Sequence, residues 1–305
     1  MFDAASRLGH RISGNALLLL TLTTLFWAGN TIAGRLAVGE VSPLMVVALR
    51  WIIVSSVMVP LVLPRLRTEW PIIRKNLKMI ALMALFGFTG FNSLFYIAAH
   101  STTAVNIGII QGSMPIFVML GSMIVFGTRV SWLQFLGILA TLAGVILVAG
   151  QGDLSILLNL SVNPGDSFML VACLFYSGYT LALRNRPQVS GLVFFTALAI
   201  IAAITAIPAA GYEFATGTAQ LPTFTGWLVV LYISLFPSFL SQIFFMRGVE
   251  LIGPTRAGVF INLVPIWTPF LAVGILGEPF RWHHGLALAL VLGGIWLSER
   301  KTSPK

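Results

Sequence analysis

Acidic side chains are scarce in this chain: nine in 305 residues, against 18 basic ones, with charged residues of all kinds making up only 9% of the sequence. A soluble domain cannot cover its surface on that allowance, so a water-soluble globular fold is excluded. There is one cysteine, Cys173, and therefore no intrachain disulfide. Histidine is almost as scarce, and His100, His283 and His284 fall at the ends of apolar runs. The nine acids (Asp3, Glu40, Glu69, Asp153, Asp166, Glu213, Glu250, Glu278 and Glu299) read as lying in tails, loops or span ends. No apolar run then carries the acid, base and nucleophile set that catalysis needs, which argues against an intramembrane enzyme. The same scarcity argues against a buried carboxylate that relays protons or pairs with a cationic substrate. No metal or cofactor set is written into the sequence.

What the chain does have is apolar length, with 57% hydrophobic residues and a mean hydropathy of +0.94. A hydrocarbon core of about 30 Å takes about 20 apolar residues per crossing, with every backbone group paired inside the segment. Ten runs meet that requirement, at residues 16–38, 43–63, 79–99, 103–126, 131–149, 167–186, 190–210, 225–247, 254–276 and 281–298. The expectation is an all-α integral membrane protein of ten transmembrane helices. The basic N-terminal stretch before the first run resembles a signal peptide, but the run is too long and lacks a small-residue cleavage site, so it reads as an uncleaved first helix. Asn159-Leu160-Ser161 fits a glycosylation sequon.

A net charge of +9 would suggest a nucleic-acid partner in a soluble protein. Here the basic residues alternate between loops. With the N-terminus inside, Arg7, Arg11, Arg65, Arg67, Arg74, Lys75, Lys78, Arg129, Arg184, Arg186, Arg247, Arg300, Lys301 and Lys305 all fall inside, and only Arg35 and Arg281 fall outside. Topology thus accounts for the charge, with both termini cytoplasmic and the bilayer as the partner rather than nucleic acid. The stretch from Arg65 to Lys78 also suits anionic lipid headgroups.

The second half repeats the first. At an offset of 150, Gly108 meets Gly258, Pro115 meets Pro265, Gly127 meets Gly277, Trp132 meets Trp282 and Gly144 meets Gly294, while Asn92 meets Gln242. At 149, Phe26, Gly29, Thr31, Ala33 and Arg35 meet Phe175, Gly178, Thr180, Ala182 and Arg184. The chain divides into a tail (1–15), a first five-helix repeat (16–149), an outer linker (150–166), a second repeat (167–298) and a tail (299–305). Five helices is an odd number, so the second copy enters the membrane upside down: a 5+5 inverted repeat, the architecture of alternating access.

Two copies of a small-residue helix with a central proline and a closing glycine, Thr103 to Gly127 and Gly253 to Gly277-Glu278, carry a resemblance to the drug/metabolite transporter superfamily with two EamA-type repeats. In that family the helix closes with Gly-Glu. The second copy keeps it as Gly277-Glu278, whereas the first has Gly127-Thr128. The resemblance implies a ten-helix bacterial inner-membrane carrier of small organic metabolites, often outward.

Arg50 is the clearest functional candidate, because it lies deep in the second run without an acid at its level. A hairpin about Glu40 sets Asn30 at the same depth. An arginine among amides suits a carboxylate, so the expected substrate is a small zwitterion or organic anion such as an amino acid. Snorkelling toward Glu40 or headgroups is the alternative for Arg50. Arg35 reads as an interfacial anchor that could pair with Glu40, and Arg256 as a weaker candidate at the cytoplasmic interface. Trp27, Asn92, Tyr96, Asn106, Gln111, Tyr176, Tyr179, Gln242, Asn262 and Trp267 complete the candidate lining, with helix-to-helix bonding or packing as their alternative role. Gly108, Gly112, Pro115, Gly258 and Pro265 are candidate gate elements, static kinks being the alternative. A carrier of cations held on aromatic faces, or a channel or non-transporting membrane partner, are the competing readings. Nothing in the pattern specifies an oligomer.

Overall fold

The computed structural model describes residues 14–153, 155, 156, 159 and 162–299. Most of both tails and two residues of the sequon, Leu160 and Ser161, lie outside them. Among the described residues the regular structure is entirely helical. The elements are α1 (Ala16–Leu36), α2 (Pro43–Lys75), α3 (Leu77–Ser101), α4 (Ala104–Gln111), α5 (Met114–Phe126), α6 (Trp132–Ala149), α7 (Pro164–Asn185), α8 (Gly191–Ala215), α9 (Phe224–Ile252), α10 (Pro254–Phe260), α11 (Val264–Leu276) and α12 (Trp282–Glu299). Taking α4 with α5 and α10 with α11 as single spans, nine helices among the described residues are long and apolar enough to cross a membrane. The tenth expected span, α12, falls short on composition, since His283, His284 and Glu299 stand within it.

Several helices outrun their apolar segments. The second was expected to end near residue 63, but α2 continues to Lys75 through Pro60, Pro64 and Pro71. Each proline removes one internal hydrogen bond, a loss that water offsets beyond the hydrocarbon, and Arg74 and Lys75 in the last turn favour the negative end of the helix dipole. Likewise α8 runs to Ala215 and takes Glu213 into the helix, and α7 begins at Pro164, with Asn163 as cap and Asp166 in the first turn. Of the acids expected in loops or at span ends, Asp166 and Glu213 are therefore buried, while the side chain of Glu278, just past the end of α11, is 10% exposed.

Local departures from α geometry recur between the halves. A π segment at Leu85–Gly90 interrupts α3, and another at Ser234–Leu240 interrupts α9. The two spans that carry the repeat-matched prolines are broken rather than bent. Pro115 and Pro265 each stand second in the new helix, after a tightened turn at Gly112-Ser113 and at Ile261–Leu263. A proline cannot donate to the carbonyl four residues back and crowds it, so the chain restarts instead of continuing. Gly127 and Gly277 end these spans in the left-handed conformation, at φ 64° and 65°.

The packing pairs α2 with α8, α6 with α12, α3 with α7, and α1 with α9 and α11. At the α6–α12 crossing, glycine meets glycine: a Cβ added to Gly294 would stand 2.5 Å from the Gly137 carbonyl, and one on Gly144 would stand 2.8 Å from that of Ala287. Because backbone cannot yield as a side-chain tip can, Gly294→Leu is expected to part these helices and cost about 1–3 kcal/mol or more. A thermal unfolding curve in detergent matching that of the unaltered protein would refute this.

Candidate functional site

Arg50, on the eighth residue of α2, is only 7% exposed. Its Nη1 donates to Asn92 Oδ1 at 2.6 Å and to the Tyr96 hydroxyl at 2.8 Å, and that hydroxyl donates to Asn30 Oδ1 at 2.8 Å. Asn92 and Tyr96 stand four residues apart and so share one face of α3. The Asn92 Nδ2 group donates to the Phe88 carbonyl at 2.6 Å, within the π segment, which turns the amide oxygen toward the arginine. Gly34 lets the Tyr96 ring lie against α1, since a Cβ there would come within 3.3 Å of it.

Among the described residues no carboxylate touches Arg50. Its guanidinium lies 4.9 Å from the centre of the Trp51 ring, and both Arg50 Nε and Trp51 Nε1 are buried without a partner. The charge is thus held by an amide oxygen, a phenol oxygen and an indole face, with donor capacity left over. Beyond Trp51 runs an aromatic wall: Phe88 edge-on at 4.8 Å, then Tyr179 at 5.4 Å from Phe88, and Tyr176 at 5.4 Å from Tyr179. Arg50 makes no contact with Glu40, which instead accepts from the Thr223 hydroxyl.

Four candidates, Arg50, Asn30, Asn92 and Tyr96, form this one network. Trp27 donates to the Pro237 carbonyl in the π segment of α9 at 3.1 Å. Gln242 is half-buried on the same helix. Gln111, at the break after α4, has a buried Oε1 without a partner, and Trp267 on α11 a buried Nε1 without one. Asn106 spends its amide on Asp166, and Asn262 donates to Glu299 at 2.8 Å. Arg256 is exposed.

Hydropathy ends a span at the first charge and so hides the burial of Asp166 and Glu213, whereas Glu278 stands just past a span end, as expected. All three lie at one end of the bundle. Glu213 accepts from the Ser42 hydroxyl at 2.6 Å and from the Leu44 and Met45 amides at 2.9 and 3.0 Å, closing the start of α2. Glu278 accepts from the Ala104 and Val105 amides at 2.9 and 3.0 Å, closing the start of α4. Arg35, expected near Glu40, has its Nε 3.5 Å from Glu278 and donates to the Ala99 carbonyl. Asp166 takes the Thr102 hydroxyl and both Asn106 contacts, at 3.2 Å. The sequence did signal this last one, for Asn163-Pro164-Gly165-Asp166 is a cap followed by a first-turn acid.

Two stretches, residues 14–150 and 163–300, each match the model of the EamA-like transporter family. The chain is 24% identical over 282 residues to the uncharacterized transporter YyaM of Bacillus subtilis, spanning 92% of each protein. It is 23% identical over 274 residues to the uncharacterized inner membrane transporter YedA of Escherichia coli K12, spanning 90% of this chain and 87% of that protein. A solved crystal structure superposes with a TM-score of 0.63 at 21% identity, covering 93% of this chain and 96% of the other, which shows a shared fold. With both halves matched, this chain belongs to the EamA-like transporter family and is a multi-pass membrane transporter, not an enzyme.

Proposed function

We propose that the chain is a secondary transporter that exports a small zwitterion or organic anion from the cytoplasm by alternating access, and that Arg50 binds the substrate's carboxylate. The observation that carries this is Arg50 itself: a buried cation surrounded by neutral acceptors, with an unpartnered Nε. Such a group is costly in a membrane interior unless an anion completes it. The outward direction rests on the resemblance to a family whose members often move metabolites outward, and the cytoplasmic placement of both termini rests on the positive-inside loops.

The architecture proposed is ten spans, with α12 as the tenth, in two five-helix copies of opposite orientation. The paired π segments, paired helix breaks and paired glycine caps support the duplication, and the odd helix count supplies the inversion. On this topology the end closed by Glu213, Glu278 and Asp166 faces outward. The test is a thermal-shift screen of purified protein against amino acids, organic acids and cationic dyes, followed by counterflow in proteoliposomes with any hit. Stabilisation by a carboxylate compound and saturable counterflow are expected. Hits confined to cations would overturn the substrate class, and non-saturable flux would replace the carrier with a pore.

A further inference from the structure

We infer that Glu278 is a latch on the outer entrance without an equivalent on the inner one, so that the protein rests with its binding site open to the cytoplasm. This rests on the carrier and topology reading above and adds to it a resting state and the residue that sets it.

Glu278 follows the left-handed Gly277 at the end of α11 and bonds two amides in the first turn of α4, while Thr103 caps a third, that of Asn106. A carboxylate at a helix start is favoured both by its donors and by the helix dipole, and Arg35 adds a nearby cation. The second copy's broken span is thereby fastened to the first copy's. Inverting the arrangement would need an acid at position 128 bonded to the start of α10. Position 128 is instead Thr, whose hydroxyl donates to Ser122, six residues back in α5, at 3.1 Å, and α10 begins with Pro254, which has no amide hydrogen. Arg184, the counterpart of Arg35, is exposed over the face of Phe126 at 4.4 Å rather than beside a carboxylate.

Packing shows the same one-sidedness. In α4 every residue from Ala104 to Ile110 is buried, whereas Ala257 is the only buried residue of α10 among the described side chains. A Cβ on Gly108 would stand 2.6 Å from that of Thr268, while one on the matching Gly258 meets nothing within 4 Å. The α2–α8 pair, by contrast, is clasped at both ends, since Glu69 accepts from the Ser190 amide at 2.9 Å at the end opposite Glu213. That pair reads as fixed frame, and the broken spans as the part that moves. Switching outward then requires the Glu278 bonds to break, with no acid at position 128 to form the matching bonds on the inner side.

Two reporter cysteines on one span test this, each in a Cys173→Ala background: Thr268→Cys on the outer half and Gly258→Cys on the inner half. With a membrane-impermeant maleimide, Gly258→Cys should label rapidly in inside-out vesicles and Thr268→Cys slowly from outside. Adding Glu278→Gln should raise Thr268→Cys labelling at least tenfold and lower that of Gly258→Cys. Labelling of both reporters within twofold of the unlatched variant, in protein of unchanged elution profile, would overturn the latch even where counterflow is normal. Should Glu278→Gln not fold, the two reporters in the latched protein still decide the resting state: fast Thr268→Cys with slow Gly258→Cys labelling would overturn it. Counterflow is scored separately, and its absence alongside shifted labelling would refute the carrier reading while leaving the latch in place.

Discussion

Arg50→Ala is expected to abolish substrate binding while leaving the protein folded. Truncating one partner of a buried, hydrogen-bonded charge contact commonly costs about 2–5 kcal/mol, or about thirty- to several-thousand-fold in Kd. Stability should respond differently. Among the described residues no acid faces Arg50, so its removal strands no opposite charge there, and Asn92 and Tyr96 can turn to each other or to water. The unliganded melting temperature should hold or rise, because the lost group was itself poorly compensated. Arg50→Lys should rescue little, since an ammonium offers no planar pair of donors to a carboxylate. Tyr96→Phe keeps the charge but cuts its tie to Asn30, so an affinity loss of about tenfold is expected, in line with one hydrogen bond to a charged group. The measurement is thermal shift and counterflow with the same carboxylate ligand. Undiminished transport by folded Arg50→Ala protein would remove this residue from the site.

The contrast between what hydropathy reveals and what it hides runs through single helices. The apolar runs, the 150-residue offset and the depth of Arg50 were all legible, because each is a pattern of residue types along one strand of text. Asn30 was placed near Arg50 by counting back from the hairpin, and the structure connects them through Tyr96, a residue on a third helix that no hairpin count could supply. Pro115 and Pro265 announced irregular spans, but not that each would end one helix and open another. The π segments left no sequence signal, since an extra residue in a turn reflects packing rather than composition. The buried acids were lost for a simple reason: a window that averages hydropathy stops at a carboxylate, whereas a helix stops only when its backbone bonds do. Glu213 sits in regular helix two residues before the end of α8 and is 5% exposed.

Glu213→Ala is accordingly expected to be the most damaging of the single substitutions to stability. Three donors, the Ser42 hydroxyl and the amides of Leu44 and Met45, converge on one carboxylate, and all three lose their acceptor together. Hydrogen bonds to a charged group are worth about 1.5–3 kcal/mol each; they are not additive here, because the start of α2 lies at the bundle end, where water can replace part of the loss. A net cost of about 3–5 kcal/mol follows, a large share of typical stability and enough to lower the melting temperature by about 10 °C. Glu213→Gln keeps one acceptor oxygen and should fall between the two. Since α2 and α8 are clasped at both ends, weakening one clasp should unsettle the frame rather than shift the gate. The transport rate per folded molecule should then stay within about twofold, with no change in which side labels. Full thermal stability in Glu213→Ala would mean that the α2 start is satisfied by solvent. A shift in labelling would instead make Glu213 part of the gate, and the line drawn between fixed and moving helices would have to be redrawn.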